Sequence, residues 1–237
     1  MKSLVVICSL TAGTVLAQTE QTKLFEAFEE ENSIDTVLER NSPTALDLAE
    51  SQLFIDTSRN SYFYKNIARF QPTSEDQEVV KYYIDEIKTD FPLPPVELSS
   101  FPKRWVSLRK LNNEFMLYHR CEGNDKFIDL SNESVAFYGP VEAEADIISK
   151  IVSSSENEIQ LELKTIKAKT ENQTAFFTIK KTENENVFLY TYKIGDFEIK
   201  EFVTPIEKIN QFNMVVNHCI NEKHAEFNGF DDVSAAK

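Results

Sequence analysis

Apolar positions recur at two periods along this chain, and the change falls near residue 95. Before it, the spacing is three and four, the period of a helix face. Leu24, Phe25 and Phe28 fall together, with acids on the other side. Ser42-Pro43-Thr44 has the make-up of a helix start, a capping hydroxyl followed by an early proline, and Leu46, Ala49 and Leu53 continue from it. Phe63, Ile67 and Phe70 repeat the spacing up to Pro72. Ser74 with Gln77 three residues on fits a capping box, and Val80, Tyr83, Ile84 and Ile87 form the stripe of the helix that follows. The pattern predicts several short helices over 18–90.

"FPLPP" at 91–95 and Pro102 interrupt helical structure, since proline fixes its own backbone angle and removes a donor. Beyond them the period is two. In "EIQLELKT", Ile159, Leu161 and Leu163 point one way, and Gln160, Glu162 and Lys164 the other. "TAFFTIK", "NVFLYTYKI" and "DFEIKEFV" follow, rich in aromatic and β-branched residues, with Gly195-Asp196 suited to a tight hairpin. Further strands are expected over 104–110, 114–121, 126–130, 134–138 and 146–153. A meander of this length tends to close as a barrel or sandwich, because open edges invite aggregation. After Pro205, the residues Ile206, Ile209, Asn213, Val216 and Ile220 share one helical stripe.

The expected fold class is therefore α+β: a small helical N-terminal segment, an antiparallel β-meander and a C-terminal helix. The expected division is a leader over 1–17, a helical region over 18–90, a proline-rich linker over 91–103, a meander with its helix over 104–228, and a frayed tail over 229–237. A meander followed by a helix resembles the lipocalin architecture in pattern alone. The G-x-W opening is absent, and "KRW" stands at 103–105 in its place. A closed barrel could hold a small apolar ligand, with Phe176, Phe188, Tyr190 and Tyr192 as lining residues, unless these aromatics simply fill a packed core, the reading their composition favours.

The first seventeen residues combine Lys2, an apolar run, "LVVICSLTAGTVLA", and the small-residue end Val15-x-Ala17, in the order of a secretory signal. They predict a mature chain from Gln18, secreted or periplasmic. No second apolar run approaches membrane-spanning length. The net charge is −14, and the loss of Lys2 with the leader would make it −15. Such an acidic chain is a poor partner for nucleic acid or an anionic membrane surface. With 5 glycines among 237 residues and neither G-x-G-x-x-G nor a P-loop, nothing suggests a nucleotide site, and no cofactor is expected.

Signal removal would leave two of three cysteines, Cys121 and Cys219. In an exported chain the simplest reading of such a pair is a disulfide joining an early strand to the terminal helix. Two histidines stand beside them, His119 and His218, so a two-His, two-Cys zinc site is the rival, although neighbours on a helix point about 100° apart. "EGND" at 122–125 has the composition of a polar hairpin tip. Asn132-Glu-Ser and Asn172-Gln-Thr match glycosylation sequons. There is no G-x-S-x-G and no H-E-x-x-H, and acids are too numerous to single out a catalytic pair. The expected function is a non-catalytic exported binding or interaction protein, taking a small apolar ligand or a protein partner. The alternatives are an exported hydrolase using carboxylates, and a cell-envelope assembly protein whose acidic helices recruit a partner.

Overall fold

Alternation along single strands determines which residues face inward. In the stretch Glu158–Lys164, Ile159, Leu161 and Leu163 are fully buried while the residues between them are only half covered. The same alternation along successive strands builds a wall with one apolar face, and hairpins bring each strand antiparallel to the last. The computed structural model of the protein describes residues 34–37, 51–98, 101–121, 125–166, 174–219 and 226–231. Its elements are β1 (Ile34–Val37), β2 (Ser51–Asp56), α1 (Tyr62–Ala68), α2 (Ser74–Asp90), β3 (Arg104–Leu111), β4 (Glu114–His119), β5 (Phe127–Leu130), β6 (Ser134–Tyr138), β7 (Glu144–Ser154), β8 (Glu158–Lys164), β9 (Ala175–Lys181), β10 (Phe188–Ile194), β11 (Phe197–Pro205), a 3-10 helix (Ile206–Gln211) and β12 (Asn213–Cys219).

Eight strands close into an antiparallel barrel. The ring runs β3-β11-β10-β9-β8-β7-β6-β5 and returns to β3 through the pairs Arg104↔Asp129, Trp105↔Ile128 and Val106↔Phe127. Tight turns set the register. Gly195, at φ 56°, opens the two-residue loop between the paired Ile194 and Phe197. Asn112 and Asn113 both take positive φ, 51° and 69°, in the β3–β4 turn, the conformation that matches the twist of the flanking strands.

The strand β4 leaves the ring. From the far end of β3 it starts a second layer, in the order β1-β2-β12-β4, where β12 runs parallel to β4 and antiparallel to β2. Between this layer and the outer barrel wall, Phe63, Tyr64 and Ile67 of α1 pack with Phe54, Leu117, Phe202, Met214 and Val216. Helix α2 adds Val80, Tyr83 and Ile84 to the same core and is capped by Thr73 with Asp76, one residue earlier than the Ser74–Gln77 box the sequence suggests. Arg104 ties the end of α1 to the barrel. Its Nε and Nη2 donate to Asp129 at 2.7 and 2.6 Å, and Nη1 donates to the Phe70 carbonyl at 2.8 Å.

Three expectations need correction. The described chain is mostly β, not an even α+β division. Leu53 lies in strand β2, not in a helix begun at Ser42. The C-terminal helix expected from Ile206 to Ile220 is one 3-10 segment followed by β12. The cause is common to β2 and β12. Leu53 and Phe54 are buried side by side, as are Met214, Val215 and Val216. A strand covered on both faces loses its alternation, and a continuous apolar run also satisfies a helical stripe.

The segment 91–98 lies against the barrel: the Val96 amide donates to Asn132 O at 2.6 Å, and Val96 and Leu98 pack on the interior cluster to which Phe101 also belongs. The near end of the tail is also held. Phe230 packs edge-on against Tyr118, and the Asp231 amide donates to Lys110 O, so the frayed tail expected from 229 does not begin at Gly229. The leader 1–17, the helix around Leu24–Phe28, the start at 42–44, most of "EGND", Asn172 and residues 232–237 lie outside the described residues.

Candidate functional site

The barrel interior is filled unevenly. At one end Phe101 and Trp105 pack with tilted rings 5.3 Å apart, and Phe188 meets Trp105 edge-on at 4.9 Å. Leu130, Val135, Ile148, Ile159, Leu161 and Phe177 join the same apolar cluster. At the other end the inward positions turn polar, and a cavity of about 290 Å³ remains. Its wall includes Phe137, Tyr190, Tyr192 and Ile199, together with Glu144, Asp146, Glu201, Ser107 and Lys126. The exposed Glu142 and Phe197, in the β6–β7 and β10–β11 turn regions, mark its mouth.

Register explains why these side chains converge. Tyr190 pairs with Glu201 and Tyr192 with Ile199, so all four project to one face of β10 and β11. Across the ring, Val135 pairs with Asp146 and Phe137 with Glu144. The Tyr192 hydroxyl donates to Asp146 Oδ2 at 2.9 Å, and Asp146 is buried. Glu201 accepts from Lys126 and, at 3.2 Å, from Ser107. Burial, and then the neighbouring Glu201, Tyr192, Asp146 and Glu144, push the Tyr190 hydroxyl far above the ordinary tyrosine range. Tyr192 is raised too, by burial and by Asp146. Both phenols stay neutral at any physiological pH.

Of the aromatics singled out from sequence, Tyr190 and Tyr192 line this cavity and lie on one strand. Phe188 is on the same face but packs into the filled end against Trp105. Phe176 is not in the interior: it is 38 % exposed on the outer face, and Phe177 is the residue of β9 that points in. Sequence reasoning missed Glu144, Asp146 and Glu201. Their signal is a carboxylate in the inward register, as in Ile199, Glu201, Val203, where an acid interrupts an otherwise apolar face.

The histidine–cysteine group lies elsewhere, at the end of the β4–β12 pair. The Cys121 and Cys219 sulfurs are at bonding distance, with Cα atoms 5.2 Å apart. Cys219 comes from a strand, not from a helix. The parallel pairing that sets Val216 opposite His119 brings the strand ends together. His119 and His218 pack on the Phe63 ring, 5.0 and 5.4 Å between centroids, and His119 Nδ1 lies 3.6 Å from Asp125 Oδ2. Burial, and secondarily His119, lower the His218 pKa below its ordinary value. Among the described residues, no three His, Cys, Asp or Glu side chains are placed to hold a metal ion, and no helix is long and apolar enough to cross a membrane.

Compared with models of known protein families, with curated proteins and with solved structures, the chain finds no match.

Proposed function

We propose that this chain is an exported, non-catalytic binding protein whose barrel holds a small molecule in its open end, an arrangement lipocalin-like in layout. One observation carries the reading: the interior is packed at one end and left open at the other, where aromatic faces and oriented polar groups line about 290 Å³. Ligand sites combine apolar walls with a few placed polar groups in this way, and the volume is near the small end of their range, about 300–1,000 Å³. The occupant is therefore a compact molecule with an apolar body and a polar group, not the purely apolar ligand expected from sequence. The paired Cys121 and Cys219 and the leader-like residues 1–17 support export.

The rival reading, a hydrolase using carboxylates, draws on the same cavity. Two of its acids are already engaged, Asp146 by Tyr192 and Glu201 by Lys126 and Ser107. Such contacts hold a carboxylate in place, which suits binding better than proton transfer. Thermal-shift screening with small amphipathic molecules tests the proposal, because a ligand that binds only the folded state raises Tm by mass action. Ligands should stabilise the native protein and not Ile199→Trp, which fills the cavity. Equal shifts in both would place binding elsewhere.

A further inference from the structure

The turn between β5 and β6 carries the sequence Asn132-Glu133-Ser134. Ser131 builds that turn. Its Oγ accepts from the Glu133 and Ser134 amides at 3.1 and 2.9 Å, and its own amide donates to Ser134 O at 2.9 Å. Glu133 is held by an ion pair with Lys88 of α2. Asparagine is favoured in turns because it tolerates left-handed backbone and because its side chain bonds to nearby main chain. Neither reason applies to Asn132. Its backbone is not in the left-handed region, where Asn112, Asn113 and Asn186 are found. The residue is exposed, and among the described residues its side-chain amide has no hydrogen-bond partner. Only its main-chain carbonyl is engaged, by Val96.

We propose that Asn132 is an N-glycosylation site of the exported chain, filled by a transferase of a eukaryotic secretory pathway from a lipid-diphosphate-linked oligosaccharide. The side-chain nitrogen bonds to the anomeric carbon of the first sugar and loses one proton. The carbon–oxygen bond to the carrier breaks, and the lipid diphosphate leaves with the electron pair. The acceptor signal includes the hydroxyl two residues on. In the folded protein Ser134 is only 6 % exposed, with its Oγ 3.0 Å from Ser131 Oγ, so transfer precedes closure of the β5–β6 hairpin. The fold then has to carry a bulky, polar chain, which requires a surface position such as that of Asn132. The turn joins the ends of β5 and β6 where Leu130 pairs with Val135 in the filled half of the barrel. Phe127, Ile128, Phe137 and Tyr138 line the cavity from the opposite ends of the same strands. A glycan on Asn132 therefore leaves the mouth clear.

The inference rests on the proposed export, not on the occupant of the cavity, and the test separates export from modification. The full chain is expressed in cultured mammalian cells, once with its own residues 1–17 and once with an established secretory leader in their place. Protein from medium and cell extract is treated with peptide-N-glycosidase and mapped by mass spectrometry, since removal of the glycan converts the acceptor Asn to Asp. Mapping also distinguishes Asn132 from Asn172 of the second sequon. The expected result is conversion at Asn132 with either leader and none at that position in Asn132→Gln, a change at an exposed side chain that leaves the fold intact. Modification with the foreign leader alone would overturn the reading of residues 1–17 and leave the acceptor site standing. If Asn132 is unmodified in both forms, in medium and in extract, the proposal falls.

Discussion

Tyr192 reaches across the barrel and donates to Asp146 at 2.9 Å. The two residues belong to β10 and β7, which are separated in the ring by β9 and β8, so the bond spans the interior instead of running along the wall. It braces the open half, where apolar packing is thinner. Tyr192→Phe should keep the ring and lose the donor to a buried carboxylate, at a cost of about 1–3 kcal/mol. Urea unfolding of the two proteins measures it. An unchanged midpoint would mean that Asp146 finds an equal partner elsewhere.

Arg104 is the second point of attachment. Its planar guanidinium meets Asp129 through two bonds and the Phe70 carbonyl through a third. Lysine carries the charge but cannot make that fork. Arg104→Lys is expected to destabilise the protein by roughly 1–2 kcal/mol. Amide exchange should quicken most in α1 and in the first residues of β5. Uniform quickening would show a global effect and not a local clamp.

The Cys121–Cys219 pair closes a sequence separation of 98 residues at the edge of the second layer. A cross-link over so long a loop stabilises mainly by restricting the unfolded chain, by about 2–4 kcal/mol. Replacing both residues with Ser should lower the unfolding midpoint correspondingly. It should leave ligand binding in the barrel intact, because the bridge and the cavity are built from different elements. Loss of binding in a folded double mutant would contradict that separation.

Much of this architecture can be read from single strands. Nine meander strands from 104 to 205 show period two or aromatic and β-branched enrichment, and all nine are present. What the pattern does not carry is where a strand goes after its hairpin. In β4, Phe115, Met116, Leu117 and Tyr118 are apolar in succession, a strand with cover on both faces, and it leaves the barrel to join β12. The partner β12 has the same continuous character and imitates a helix. The site was half legible. Tyr190 and Tyr192 stand in a plainly alternating strand, but their acidic partners come from β7 and β11, and only barrel closure brings those strands to one cavity.

His218 supplies a pH dependence. Burial and the nearby His119 hold its pKa below 6.5 in the folded state. A base whose pKa falls on folding carries fewer protons when folded than when unfolded. Its contribution to stability is therefore fully present above about pH 6.5 and declines as pH falls through that value toward the lower folded one. The native protein should lose more stability between about pH 7.5 and 5.5 than His218→Gln does. Equal losses would mean that other groups govern the acid response.

The proposed binding role depends on the open half of the barrel. Its most direct test is a crystal structure grown with the small amphipathic molecule that raises Tm most. The prediction is ligand density inside the ring, with the apolar body against Phe137, Tyr190 and Tyr192. A cavity closed by its own side chains, or density confined to the outer surface, would contradict it.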